Sequence, residues 1–515
     1  MRGVMYNLLG VLGKAFTPVF FIIVGRMYGA DTLGVYLLVF VFIEMLKRLT
    51  VGGLNDGIMI FTSKYLARED GEQDAYRTLA NSIVLCVGLG LLVFLAAEIG
   101  FFRILPMYSA ESTQYVLRLM AAGIPLQATA MLLIAATKAH LEMKWDALVN
   151  GFIRPFGLCF FAVLFSALGF GVEGLGYGYA ATGIIMLAAS LFIFFRYFSF
   201  KKLLHAVRHF RWMRELLIFV VPQNLNLAFN DMIAGFDVMM LGFFGVQPAL
   251  IGYYGVSAQI LLNIQQVRMA FSGVYMPVIA RLFGERRIDE MNESFNKVSR
   301  WMLLVAFPLG FLVIFFRREL LQLFHPAFGV PFALPMDAML PEALISVLQL
   351  GYLGEMGFTG FMIILTLVPL LSCGFGLAGN LITAVGKSGW SFFNSVLVAG
   401  LSLLFASLLI PGHGLFGAAF AAVLAAVCFR LVQVLEAWFL VRVRMRMAKV
   451  YKPYLAALIS GVLLLFADLI GYDHFWFRIP VIIFILGVYF AVLRGLKFEE
   501  GDHRILMPWK KNEKS

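Results

Sequence analysis

The sequence predicts an all-α polytopic membrane protein of about fourteen transmembrane helices, arranged as two parallel six-helix repeats with two further helices at the C-terminus. Three observations predict it. Hydrophobic residues make up 61% and charged residues 14% of the 515 residues, with a mean hydropathy of +0.88, whereas soluble domains carry about 25% charge. Apolar runs of roughly twenty residues, long enough to cross about 30 Å of hydrocarbon, recur along the whole chain. The second half also echoes the first: Gly174-Leu175-Gly176-Tyr177-Gly178-Tyr179-Ala180-Ala181 returns as Gly414-Leu415-Phe416-Gly417-Ala418-Ala419-Phe420-Ala421-Ala422. Weaker echoes keep the same order. Ala67-Arg68 followed by Gly71-Glu72 returns as Ala280-Arg281 followed by Gly284-Glu285, and Thr137-Lys138 with Lys144-Trp145 returns, shortened, as Thr383 with Lys387 and Trp390.

The elements follow from hydrophobic runs and their breaks. The first, 4–25, runs through Phe20-Phe21-Ile22-Ile23-Val24 to a turn at Gly25-Arg26 and is too long for a signal-peptide core, so it is expected to be retained. Spans 33–55, 77–99, 115–138, 148–169 and 175–196 complete the first repeat, the last opening at the Gly174 turn. Spans 217–244, 251–276, 299–316, 358–383, 391–410 and 415–440 form the second, the last opening at Gly414; 453–471 and 477–493 are the added pair. The domains expected are an N-terminal lobe, 1–200; a basic cytoplasmic linker, 201–216; a C-terminal lobe, 217–440, with an external insertion at 317–357; and the extra helices with a cytoplasmic tail, 441–515. His205, His209 and Trp212 interleave with the linker's basic residues, which suits either an amphipathic segment on anionic headgroups or a plain connection. The insertion holds Pro326, Pro331, Pro335 and Pro341.

Lysine and arginine set the orientation. With the N-terminus in the cytoplasm, the loops carrying Lys64 to Arg77, Lys138 and Lys144, Arg196 to Arg214, Arg281 to Arg300, Lys387, and Arg442 to Lys452 all fall inside, as does the tail. Only Arg26, Arg103, Arg317, Arg318 and Arg478 fall outside. The net charge of +11 is thus spread over many loops as a topology signal, and no nucleic-acid partner is implied. Cysteines placed at Lys202, Arg286 and Lys511 are expected to resist impermeant thiol reagents in intact cells, and one at Ala327 to label. Labelling of position 202 from outside would reverse the orientation.

An ionisable side chain within a span costs at least about 2.5 kcal/mol, so it normally meets a partner or a wet cavity. The deep cations Lys14, Arg48, Arg154 and Arg268 lie on four different spans. Together they suit phosphate or another acidic group, arginine being the preferred bidentate partner. Arg48 could alternatively pair with Glu44 at i,i+4, and Arg118, Arg430 and Asp468 lie near span ends, where snorkelling would serve. Gln223, Asn226, Asn230 and Asp237 share one stripe of the seventh span, with Asp231 beside it, and Gln259, Asn263 and Gln266 share a stripe of the eighth. Amides both donate and accept, which suits a hydroxyl-rich ligand or, equally, hydrogen bonds between helices.

The sequence holds no phosphate-binding glycine loop, no complete metal-ligand motif and no nucleophile motif. Neither enzymatic activity nor a cofactor is expected. Cys86, Cys159, Cys373 and Cys428 fall within spans and read as packing residues.

Several segments carry a resemblance. Gly25-Arg26-Met27-Tyr28-Gly29-Ala30, Leu33-Gly34-Val35-Tyr36, and Gly53-Leu54-Asn55-Asp56-Gly57 leading to Lys64-Tyr65-Leu66-Ala67 are in the first half. Ile251-Gly252-Tyr253-Tyr254, Met276-Pro277-Val278-Ile279-Ala280 and Leu409-Ile410-Pro411-Gly412-His413-Gly414 are in the second. In this order they resemble the Wzx-type polysaccharide or oligosaccharide-lipid flippases of the multidrug/oligosaccharidyl-lipid/polysaccharide exporter superfamily. The resemblance implies two six-helix lobes forming a V-shaped central cavity that is cationic, and alternating access in a bacterial cytoplasmic membrane. It also implies a polyprenyl-pyrophosphate-linked saccharide as cargo, and polysaccharide polymerase and glycosyltransferases as neighbours. Lys14 stands where similar peptidoglycan-precursor flippases carry a cavity arginine, and an ion site on the seventh helix of some relatives makes Asp237 and Asp231 candidates for ion coupling. A peptidoglycan-precursor flippase and a multidrug or cation antiporter of the same fold are the nearest rivals. A membrane polymerase or ligase would need a large external loop with paired Arg or His, which this sequence lacks.

Overall fold

A computed structural model describes residues 16–140, 142, 144–329, 360–385, 388–470 and 475–496. Lys14 and most of the expected 317–357 insertion lie outside these residues. All regular secondary structure among the described residues is helical. In chain order the helices are α1 (Phe16–Tyr28), α2 (Ala30–Leu66), α3 (Glu72–Glu98), α4 (Glu111–Thr137), α5 (Lys144–Ala167), α6 (Val172–Phe194), α7 (Phe200–Arg208) and α8 (Arg214–Phe243). They continue as α9 (Pro248–Gly284), α10 (Ile288–Phe315), α11 (Arg317–Phe324), α12 (Gly360–Gly374), α13 (Ala378–Ala384), α14 (Ser388–Val441), α15 (Met447–Ile470) and α16 (Phe475–Gly495). Many begin with an acidic first turn, as at Asp31, Glu72, Glu111, Glu173, Glu215 and Asp289, complementing the helix dipole.

Among the described residues, nine helical stretches are long and apolar enough to cross a membrane. Helices α2, α8 and α9, of 37, 30 and 37 residues, carry the polar and charged positions singled out above. Large apolar side chains such as Leu92, Phe160, Ile184, Leu408, Leu458 and Phe484 stand exposed on the outer faces, the inverse of a water-soluble surface. This is a multi-pass membrane protein.

The glycine turns behave differently in the two halves. The expected spans 391–410 and 415–440 form one stretch, α14, broken at Gly414 with φ 51 and ψ −124, a conformation only glycine adopts without strain. In the first half the turn comes earlier, at Gly169 (φ 82), and Gly174 to Gly178 already lie within α6. The expected 358–383 span is interrupted, with Gly376 (φ 71) separating α12 from α13.

The chain forms two compact units: residues 1–256 with 323–327, and 257–322 with 328–515. In the first, α8 packs along α2. Glycines make this possible. A side chain at Gly53 would collide with the Val220 carbonyl at 2.7 Å and the Asn224 backbone nitrogen at 2.9 Å, and one at Gly57 would press on Leu216 and Val220. Close approach through small residues is how helices associate where lipid gives no hydrophobic drive. Gly34 and Gly252 likewise face each other, a Cβ at Gly252 falling 2.9 Å from the Gly34 nitrogen. The resemblance motifs around residues 34, 53 and 252 are therefore helix-crossing points. An apolar core from Val51, Leu54, Leu79, Leu132, Phe194 and Leu216 joins α2, α3, α4, α6 and α8. In the second unit Leu304, Phe311, Leu464, Ile485 and Tyr489 pack α15 and α16 against α10.

Each unit contains its own asparagine clamp of the same kind. In the first, Asn81 of α3 donates to the Arg211 carbonyl at 3.0 Å and accepts from the Met213 N–H at 3.1 Å. In the second, Asn292 and Asn296 of α10 do the same to the backbone at 442–446. In the linker, α7 is a short helix, and Lys202 reaches Glu72 at 2.6 Å, the carboxylate holding this exposed ammonium's pKa above its usual value. Such a surface pair adds little stability.

Candidate functional site

Among the described residues, two clusters built around deep cations stand out within the apolar helices, one in each unit. The first starts from Pro155. Lacking an N–H and crowding the preceding turn, proline cannot continue regular i→i−4 bonding. The chain instead takes a π-helical stretch over Ala147–Ile153, and the Arg154 N–H bonds back to Val149. Such stretches often mark functional positions. Arg154 emerges from it to meet Glu44 Oε1 at 2.6 Å.

Glu44 Oε1 also accepts from Lys47 Nζ at 2.6 Å and the Tyr179 hydroxyl at 2.9 Å. Lys47, only 3% exposed, lies 3.3 Å from Gln127 Oε1 and 3.4 Å from the Tyr179 hydroxyl. Gln127 Nε2 donates to the Tyr179 carbonyl at 3.1 Å. Gly123 leaves room for the Tyr179 ring, since a Cβ there would fall 2.6 Å from it. Helices α2, α4, α5 and α6 thus each contribute a side chain to a network of two cations and one carboxylate. The i,i+4 partner weighed for Glu44, Arg48, is not the one its carboxylate takes. The stem of Arg48 lies beside Gly52 and Asn224 at the α2–α8 seam.

The second place lies in unit two. Arg268 donates to Asn380 Oδ1 at 3.0 Å, and Asn380 Nδ2 donates to Ser272 Oγ at 2.6 Å. Arg430 donates to Gln433 Oε1 at 2.7 Å and to Ser372 Oγ at 3.1 Å. Gly379 makes room for Gln433, whose amide occupies the space a side chain there would fill. The Cys373 thiol, next to Ser372, adjoins the Arg268 backbone, and the two guanidiniums are close enough to repel each other. Among the described residues, every hydrogen-bond partner of these two arginines is neutral, and the Nε of each is buried without one. Arg430 does not snorkel from a span end. It sits within α14 and turns toward α12.

The amide stripes disperse. Gln223 donates to Asp56 Oδ2 at 3.1 Å, and Asn263 to the Ile260 carbonyl of its own helix at 3.1 Å. Gln259 is half-buried and Gln266 exposed. The side chains of Asn226, Asn230 and Asp231 lie outside the described residues. Asp237 accepts from the Tyr254 hydroxyl at 3.0 Å, and no group of three or more potential metal ligands occurs among the described residues. Sequence reasoning passed over Gln127, Tyr179, Asn380 and Gln433, all neutral residues with no signal beyond being polar in an apolar run. For Glu44 and Lys47 the i,i+3 spacing was a usable signal.

Residues 1–283 match the family described as "Polysaccharide biosynthesis protein". The capsular polysaccharide biosynthesis protein CapF of Staphylococcus aureus is 25% identical over 225 residues, which are 44% of this chain; the chain spans about half, 49%, of that relative. Among solved structures, the lipid II flippase MurJ in an inward closed conformation superposes with a TM-score of 0.69 at 13% identity, covering 96% of this chain and 99% of that one. An inward-facing multidrug resistance MATE family transporter of the MOP superfamily gives 0.65 at 14% identity, covering 85% and 99%. At these identities the structures establish the fold: the helices follow the MurJ and MATE architecture. With more than half its length matched, the chain belongs to the polysaccharide biosynthesis protein family.

Proposed function

We propose that this protein carries a polyprenyl-pyrophosphate-linked oligosaccharide from the cytoplasmic to the outer leaflet of a bacterial cytoplasmic membrane, for surface polysaccharide synthesis. Both termini are cytoplasmic in this reading. The six-helix halves, 1–200 and 217–440, alternate access to the cargo, and polymerase and glycosyltransferases act on either side of the step. The observation that carries the reading is the Arg268–Arg430 pair, two guanidiniums within apolar helices held only by amides and hydroxyls. A diphosphate supplies the missing negative charge with bidentate geometry. A drug cation would be repelled there. Lys14, Arg48 and Arg154 extend the cationic path, Gln223, Asn226, Asn230, Gln259, Asn263 and Gln266 offer amides to sugar hydroxyls, and Asp237 with Asp231 is the candidate for ion coupling.

Deleting the gene is expected to abolish surface polysaccharide and leave the lipid-linked repeat unit in the inner leaflet, with sensitivity to cationic drugs unchanged. Normal polysaccharide together with new drug sensitivity would establish the antiporter instead. Arrest of cell-wall synthesis, with polysaccharide assembly otherwise intact, would establish a peptidoglycan-precursor flippase.

A further inference from the structure

We propose that Arg442, Arg444 and Arg446 form a binding site for the phosphate of an anionic phospholipid headgroup. The segment joins α14 to α15 and has no helical structure of its own. Helix α14 ends at Val441, and Arg442 takes a left-handed backbone, φ 60, while the Val443 N–H returns to the Ala437 carbonyl at 3.2 Å. Glycine or asparagine usually fills such a position. An arginine kept where its backbone is strained points to a use for its side chain.

The clamp from α10 then sets the register. Asn292 bonds the Arg442 carbonyl at 3.4 Å and the Arg444 N–H at 2.7 Å. Asn296 bonds the Arg444 carbonyl at 3.0 Å and the Arg446 N–H at 2.7 Å. Beyond the left-handed Arg442, a backbone held this way is extended, so Arg444 and Arg446 share a face, about 6.6 Å apart. Val443 is buried against the protein at 1% exposure, while all three arginines are exposed. They border a cavity of about 460 Å³ with Asn292, Asp289, Trp438 and Phe439. Asp289 is the only carboxylate in that lining, and it forms no ion pair with the arginines among the described residues.

Two observations select a lipid as the occupant. Trp438 and Phe439 stand 40% and 71% exposed in the last turn of an apolar membrane-crossing stretch, where aromatic rings sit at headgroup level. Arg444 lies 5.5 Å over the Trp438 ring, bringing a cation to that depth, and each such charge near the surface strengthens anionic lipid binding. The clamp itself does not demand arginine. Its counterpart at Asn81 carries Arg211 and Met213 at the equivalent backbone positions.

The test uses full-length protein in detergent, titrated with phosphatidylglycerol, phosphatidylcholine or glycerol 3-phosphate and read by native mass spectrometry. Phosphatidylglycerol is expected to bind the wild type tightest. Binding should weaken at least tenfold in the triple variant Arg442→Gln, Arg444→Gln, Arg446→Gln, whose backbone clamp is untouched. A second triple variant, Arg208→Gln, Arg211→Gln, Arg214→Gln, removes the same charge elsewhere and should stay within twofold of wild type. Equal loss in both variants, equal binding of phosphatidylcholine, or glycerol 3-phosphate binding as tightly as the lipid would each overturn the proposal. No transport is measured, so failure here is distinct from failure of the proposed flippase activity. Quenching of Trp438 by brominated phosphatidylglycerol, lost in Trp438→Phe, is the second expected result, and its absence would likewise overturn the site.

Discussion

Replacing Arg268 and Arg430 together by alanine is expected to abolish polysaccharide export in a complementation assay while membrane insertion and expression stay at wild-type levels. The two effects separate because insertion becomes easier when a charge leaves an apolar helix, by at least about 2.5 kcal/mol for each, whereas binding of a diphosphate loses both bidentate partners. Charge-assisted hydrogen bonds contribute about 1.5–3 kcal/mol each, so losing two guanidiniums should weaken cargo binding by a hundredfold or more. Lysine at both positions keeps charge but not the planar fork, and is expected to recover part of the activity. The neutral partners provide a control: Asn380→Ala frees the Arg268 guanidinium from its amide without removing charge, and should reduce export less than Arg268→Ala. Full export by the double alanine variant would remove this pair from the mechanism.

Glu44→Ala is expected to destabilise the folded protein by about 3 kcal/mol, because removing one partner of a buried ion pair leaves uncompensated charge behind. Here two cations lose their common acceptor: Lys47, 3% exposed, and Arg154. The loss should appear as a lower Tm of the purified protein in detergent. Adding Lys47→Met to Glu44→Ala is expected to raise the Tm again, since an apolar chain of similar length fills the same space without a charge to neutralise. Glu44→Gln, which can still accept hydrogen bonds from Arg154 and Tyr179, should fall between the two. An unchanged Tm in Glu44→Ala would show that the network contributes nothing to stability.

The resemblance motifs read differently once packed. Gly53-Leu54-Asn55-Asp56-Gly57 and the glycines at 34 and 252 carry the family resemblance in the sequence, and in the structure they are where helices cross. Glycine is required there because only it lets the two backbones approach so closely. The amide stripe of the seventh span shows the opposite limit. Helical periodicity places Gln223 and Asp237 on one face, but Gln223 turns to Asp56 and Asp237 to Tyr254. Sharing a face did not mean sharing a partner within the fold.

What the sequence determined by itself is what depends on near neighbours and on the solvent. Apolar run length marks the membrane class and most helix limits, because burial in hydrocarbon acts on each segment separately. Glycine and proline mark the breaks, because they act on their own turn, as at Gly414 and at Pro155 with its π-helical stretch. The identity of the buried charges was also legible, since any ionisable residue within a span is conspicuous. Their partners were not. Glu44 meets an arginine 110 positions away, and Arg430 meets Ser372 58 positions away. Either contact depends on how several helices pack and rotate against one another, a cooperative outcome that no local window encodes. Only the tertiary structure decided that the cations of one group share a carboxylate while those of the other meet only neutral partners.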